Sequence, residues 1–364
     1  MNEWKTVRLG DYITEYSVKN KSNEDIPVYS VTNTQGFCTE YFSKDVSSKD
    51  KSNYKIVPRG CFAYNPSRIN VGSVDWQRYE DRVIVSPLYN VFKVSPELEN
   101  QYLYYFLKSD IGHTLITSKA EGSVRDNLKI TMLAEFSIPL PPLETQKQIA
   151  AQLDKCTAVI AKHKQMLEKY DTLIKSRFIE MFGDPVINEK DWDLKTLPEL
   201  GEFGRGVSKH RPRNAPELLG GKYPLIQTGD VANANLYITD YESTYSEEGF
   251  KQSKMWKAGT LCITIAATIA KTAILTFDSC FPDSVVGFTP NEKTNSLFIN
   301  YWFSFFQKIL EEQAPAVAQK NINLQVLSEL KIITPPISLQ NDFAAFVQQI
   351  DKSKFEYTYT GVAA

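Results

Sequence analysis

The chain has 364 residues, enough for two or three domains that each bury a core of their own. Its 41 Lys and Arg against 43 Asp and Glu give a formal charge of −2, which excludes nucleic-acid binding through overall basic excess and leaves only local clusters. No apolar run approaches the ~20 residues of a membrane span, and the start, Met1-Asn2-Glu3-Trp4-Lys5, lacks the regions of a signal peptide, so no membrane is expected. Five scattered cysteines (Cys38, Cys61, Cys156, Cys262, Cys280) form no C-x-x-C pattern, and the three histidines are not at ligand spacing. The reading is a reducing cytoplasm with neither a disulfide framework nor a metal site.

Residues 1–142 read as an α+β domain. A strand and turn open it at 4–12, followed by strands near 26–31, 55–58, 61–64, 83–86 and 89–94 with β-branched and aromatic character. A helix begins at 102–107, and a last extended element at 136–139 leads into Pro141-Pro142. The residue before a proline is steered away from helix, so the globular segment ends there.

Residues 143–185 form a central spacer. Ile149, Leu153, Cys156, Ile160, His163, Leu167, Tyr170, Ile174, Arg177 and Met181 recur at steps of four and three, the seam of a long helix packed along another. Thr145 and Gln148 have capping-box spacing, and Gly183 with Pro185 is a stop signal. A helix over 146–182 would be about 55 Å long.

Residues 186–337 retrace the first domain. At a constant offset of 194, Asn127, Leu133, Glu135, Ile138, Pro141, Pro142, Gln146, Ala150 and Ala151 meet identical residues at 321, 327, 329, 332, 335, 336, 340, 344 and 345. That register over 25 ungapped positions marks a tandem duplication of a globular domain followed by a helix. The second helix, in 338–364, keeps the four-three step at Leu339, Phe343, Phe346 and Ile350. It is expected to stop near 355, before a β-rich tail, leaving about seventeen residues against the first helix.

No phosphate-binding glycine loop, dinucleotide fingerprint or nucleophile elbow is present. Asn65-Pro66-Ser67-Arg68 shares two letters with the N-P-P-[YF] of amino-methyltransferases but lacks the aromatic residue that stacks on a flipped base. An enzyme acting alone is therefore not the expectation. Polar and basic loops instead recur at matching places. The first half has Arg59, Asn65, Arg68 and Asn70 on one turn and Ser123, Arg125 and Lys129 near another. The second has Arg205, Lys209, His210, Arg211 and Arg213, then Gln227 and Thr228, later Lys271 and Lys320. Arg, Lys, Asn and Gln make paired hydrogen bonds to base edges, and the cations also hold phosphates. For any single one of these residues the solvated loop is the plainer reading, whereas the 205–213 cluster is read as facing nucleic acid, and the seam's His163, Tyr170 and Arg177 as specifying register or partner.

A globular domain ending in "IPLPPLETQKQIAAQLD", a long helix ending in "LIKSRFIEMFGDP" and the same plan closing with "IITPPISLQNDFAAFVQQIDKSKF" resemble the specificity subunit of type I restriction–modification systems. "CFAYNPSRINVGSV" is similar to a recognition segment of that family. The resemblance implies two similar target-recognition domains, each reading half of a bipartite double-stranded DNA target, separated by long antiparallel coiled-coil spacer helices in a pseudo-two-fold repeat. It also implies a non-catalytic chain without cofactor of its own. Methyltransferase subunits would carry S-adenosylmethionine, and restriction and motor subunits would use ATP and Mg. The short second helix leaves room for a second copy of the chain to complete the coil. A truncated scaffold or antagonist that binds partners without reading DNA is the competing reading.

Overall fold

The computed structural model describes residues 4–39, 50–120, 127–210, 212–266, 269–313 and 322–360. It consists of two compact units, Met1–Lys162 and His163–Ala364, whose division falls inside one helix.

In the first unit an antiparallel sheet runs in the order Ile13–Glu15, Asn90–Val94, Phe62–Tyr64, Val74–Trp76. Side chains alternate across a strand, and here the alternation sorts two cores. Phe62, Tyr64, Val74 and Phe92 face the helices Asn100–Lys108 and Asp110–Ala120, burying Leu103, Phe106 and Ile116. Ala63 and Val91 face the strand pairs Ser30–Thr32 with Gly36–Cys38 and Lys55–Pro58 with Arg82–Val85. Gly36 has φ +64°, and a Cβ there would lie 2.0 Å from Oδ2 of Asp75. That buried carboxylate accepts from Phe37 N at 3.0 Å and pairs with Arg78 at 3.1 Å. Burial pushes the Asp75 carboxyl up, and Arg78 draws it back.

The second unit repeats this sheet order with Gly201–Arg205, Val285–Pro290, Leu261–Thr264 and Thr272–Leu275, then adds Tyr237–Ile238 in parallel. The same alternation recurs. Leu261, Ile263, Val286 and Phe288 join the core under helix Ser296–Gln313, while Cys262, Ala273 and Val285 face away from it. Where the first unit has two short strand pairs, the second has a four-stranded sheet of Ser243–Tyr245, Leu219–Leu225, Ser279–Cys280 and Met255–Trp256. A two-stranded closure is common to both: Lys5–Arg8 with Ser137–Leu140, and Leu194–Lys195 with Ile332–Ile333.

The central helix is Leu143–Phe182, 40 residues and about 60 Å. It ends as its Gly183 and Pro185 indicate, with Gly183 at φ +75°. Its start differs from the expected capping box, because Thr145 and Gln148 already lie inside it. The first turn is fixed instead by Gln146, fully buried, whose Nε2 donates to Pro141 O at 2.9 Å and Glu97 O at 3.0 Å. Its Oε1 accepts from Glu99 N at 2.8 Å. Gln340 repeats the lock with Pro335 O at 2.8 Å, Lys293 O at 3.1 Å and the Thr294 hydroxyl at 2.8 Å.

The closing helix, Ile337–Thr360, has 24 residues. The expected β-rich tail after 355 is thus corrected: the helix continues through 356–360. An established helix adds residues cheaply, and the propensity deficit of Tyr and Thr is under about 0.7 kcal/mol each. It remains sixteen residues shorter than the central helix. The two run antiparallel within the second unit. Phe343 meets Phe178 and Phe182 with ring centroids 5.4 and 5.6 Å away, Phe346 lies 5.8 Å from the Arg177 guanidinium, and Lys354 pairs with Asp171 at 2.6 Å.

The seam also differs in register. Ile174, Phe178 and Phe182 are the buried positions, at steps of four, with Arg177 and Met181 only half-buried beside them. Leu153, Ile160 and Leu167 are 39, 55 and 40% exposed, and Tyr170 is half-buried. Ile149 packs against the helix-side core of the first unit, whereas Phe343 is buried and Phe346 and Ile350 pack at the edge of the second core. A straight helix drifts from a strict heptad by about 20° per repeat, so a seven-residue pattern read over 40 residues misplaces its far end.

Candidate nucleic-acid interface

Strand register decides which loops share an end of each sheet. In the first unit Tyr64 lies opposite both Val74 and Asn90, so loops 65–73 and 86–89 leave from the same end. The chain after Glu15 leaves there too, since Tyr16 N donates to Val91 O at 2.8 Å. In the second unit Arg205, Val286, Ile263 and Thr272 form one row across the sheet. The segment after Arg205 and the loop before Thr272 therefore emerge at the corresponding end.

Within loop 65–73, Asn65 Oδ1 accepts from Ser67 N at 3.2 Å and from its hydroxyl at 3.0 Å, a local turn lock. Lys108 reaches from its helix to donate to Gly72 O and, at 3.2 Å, to Asn33 O, tying the loop to the 32–36 turn. Leu128 N donates to Pro66 O at 3.1 Å, which brings exposed Lys129 alongside. The result is a concavity of about 350 Å³ lined by Asn33, Asn65, Arg68, Val71 and Leu88, the last two 56 and 76% exposed. Asn70 is half-buried in the same loop. Arg59 is used elsewhere: its guanidinium donates to Arg78 O at 3.1 Å and Tyr79 O at 3.3 Å, closing the 77–81 turn. Ser123 and Arg125 lie outside the described residues.

In the second unit Arg205 is exposed at its strand end. Gln252 Oε1 accepts from the backbone N–H of Lys209 at 2.6 Å and of His210 at 2.8 Å, leaving both side chains exposed. His210 Nε2 is 3.8 Å from Glu217, and Arg213 pairs with Asp283, so part of this cation cluster is neutralised within the chain. Gln227 and Thr228 open the helix Thr228–Asn233, where Asp230 accepts from Gln227 N at 2.7 Å. Lys271 lines a separate concavity of about 670 Å³ with Asp171, Lys175, Asn300 and Asp351. Arg211 and Lys320 lie outside the described residues.

Sequence reasoning missed the first unit's counterpart of the 205–213 cluster. Lys19 and Lys21 follow strand Ile13–Glu15 as Lys209 and Arg213 follow Gly201–Arg205, and both are exposed. Lys55 lies opposite Lys19, and burial beside it lowers the Lys55 ammonium's proton affinity. The Lys19-Asn20-Lys21 triplet was the available signal. Among the described residues no group of His, Cys, Asp or Glu could hold a metal, and no helix is long and apolar enough to cross a membrane.

The sequence profile of the family described as "Type I restriction modification DNA specificity domain" matches residues 1–169 and again 189–360. The chain belongs to this family. It is a specificity subunit of a type I restriction–modification system, with two DNA target-recognition domains. It is 22% identical to the type I restriction enzyme MjaVIII specificity subunit of Methanocaldococcus jannaschii, over 96% of this chain and 86% of that one. It is also 22% identical to the EcoDI specificity subunit of Escherichia coli, covering 96% of this chain and 81% of that protein. A crystal structure of the type I system S subunit from M. genitalium shares the fold, with a TM-score of 0.57 at 15% identity over 99% of this chain and 92% of that one. In this specificity subunit, loops 65–73 and 86–89 of the first recognition domain, and the segment after Arg205 and the loop before Thr272 of the second, thus leave from corresponding ends of a repeated sheet.

Proposed function

We propose that each recognition domain reads one half of a bipartite double-stranded DNA target through the loops at that sheet end. The two helices set the gap between half-sites. The observation that carries this is the register: loops 65–73 and 86–89 in one domain, and the 205–213 segment with the loop before Thr272 in the other, occupy corresponding ends of duplicated sheets. In the first domain Arg68, Asn65 and Lys129, with Lys19 and Lys21 on the segment that leaves strand Ile13–Glu15 at the same sheet end, are the proposed contacts. In the second they are Arg205, Lys209 and His210. Asn and Arg read base edges, and the lysines hold phosphates.

The chain itself is non-catalytic in this reading and works in the cytoplasm. Methylation, with its S-adenosylmethionine, and cleavage, with ATP and Mg, reside on methyltransferase and restriction–motor subunits. The exposed Leu153, Ile160 and Leu167 dock the methyltransferase subunits. A second reading is favoured by the sixteen-residue shortfall of the closing helix: a second copy of the chain covers that stripe. Sedimentation of the chain alone separates the two, with a concentration-dependent dimer abolished by Ile160→Glu supporting the second.

Co-expression with the methyltransferase subunit and mapping of methylated bases should yield a split motif with a fixed gap. A contiguous motif or random methylation would overturn the proposal. Arg205→Ala should weaken binding and lower the salt slope by about one. Partner binding without any DNA sequence preference would instead support the scaffold reading.

A further inference from the structure

The two recognition domains are mounted on their helices differently. Both use the buried glutamine lock, Gln146 or Gln340. Beyond it the second domain is held by aromatic packing: Phe178 lies 5.5 Å from Phe298, 5.1 Å from Phe305 and 5.4 Å from Phe343. In the first domain no such cluster continues along the helix. After Ala150 every helix residue from 151 to 162 is exposed.

What holds that stretch is polar. Asp154 Oδ1 accepts from the Tyr105 hydroxyl at 2.6 Å and from Gln101 Nε2 at 2.9 Å. Gln101 Oε1 accepts in turn from Trp76 Nε1 at 2.9 Å and from Arg78 Nη1 at 3.4 Å. Trp76 ends the strand that leaves loop 65–73, and Arg78 both stacks on its ring, 4.9 Å away, and pairs with buried Asp75 of the same strand. A continuous set of hydrogen bonds therefore joins the helix to the strand that carries a proposed base-reading loop.

We infer that Asp154 is a positioning residue, fixing the orientation of the first recognition domain on the central helix and so narrowing the gap lengths the subunit accepts. The inference rests on the bipartite reading above. One base pair added to the gap moves a half-site by about 3.4 Å along the duplex and about 35° around it. The glutamine lock and Ile149 hold the domain only over the helix's first turns. Asp154, one to two turns further along, supplies the second point that prevents it from pivoting. With that point released, the domain can follow a half-site displaced by one base pair.

The test uses the full complex with methyltransferase subunits. Methylation rates are compared on duplexes with the native gap, one base pair fewer, one more, and the native gap with one altered base in the first half-site. Asp154→Ala should reduce the preference for the native gap at least fivefold while leaving the base preference within twofold of wild type. Asp154→Asn keeps an acceptor oxygen and should retain most of the gap preference. An Asp154→Ala complex with an unchanged gap profile overturns the inference, as does equal loss of gap and base preference, which would mark a general folding defect. A wild-type complex indifferent to the gap would overturn the bipartite reading itself, and the positioning role with it.

Discussion

Gln146 and Gln340 illustrate how a matched pair of letters acquires a physical reason. They stand out in the sequence only as one identity among several at offset 194. In the fold each closes the first turn of a helix by satisfying carbonyls that the chain reversal would otherwise leave without partners. Removing one partner of a buried hydrogen bond leaves the desolvation cost of the rest, so Gln146→Leu should destabilise the first unit by about 1–3 kcal/mol, and Gln340→Leu the second similarly. Urea denaturation of each variant measures this. Residue-scale reading was weakest for single cations. Arg59 and Arg213 have the same composition-level appeal as Arg68 and Arg205, yet one closes a turn and the other pairs with Asp283. Which carbonyl or carboxylate a guanidinium meets depends on residues 20 to 70 positions away.

At the scale of elements, the helices combine what was legible with what was not. Periodicity and the flanking prolines and glycine placed the central helix to within a few residues, because those signals act locally. Its buried face was placed only in part: Ile174 is buried as the seam has it, but Phe178 and Phe182 are buried where the seam has Arg177 and Met181. Ile174, Phe178 and Phe182 share one face at four-residue steps, and the choice between Phe178 and its neighbour Arg177 is made by the rings of Phe298, Phe305 and Phe343. Phe178→Ala and Phe343→Ala should each cost about 3–5 kcal/mol, as large-to-small changes in a packed core do. Ile160→Ala, on the exposed stretch, should change the stability of the isolated chain by less than about 0.5 kcal/mol. Thermal unfolding of the three variants side by side checks the ranking, and an Ile160 effect equal to the phenylalanine effects would mean that the stripe is already covered.

For the molecule as a whole, a formal charge of −2 sets the expectation for DNA binding. The proposed contacts amount to a few cations per domain, of which His210 already has Glu217 3.8 Å away. The chain alone should therefore bind duplex DNA at least tenfold more weakly than its complex with methyltransferase subunits, and with a shallower salt dependence, because fewer counterions are released. Titration at two or more salt concentrations tests both statements; equal slopes would place all phosphate contacts on this chain. Duplication, the α+β class, the long antiparallel helices and the specificity-subunit family could all be read from the sequence. Duplication, the class and the central helix rest on repeated letters and on periodicities of two and 3.6, which survive as linear patterns, whereas the antiparallel pairing and the family follow from the resemblance of the quoted segments. Only the tertiary structure decided which loops share a sheet end, which glutamines lock the helices, which helix face is buried, and how Asp154 is tied to Trp76. Those depend on strand order and register, which bring together side chains that no linear spacing relates.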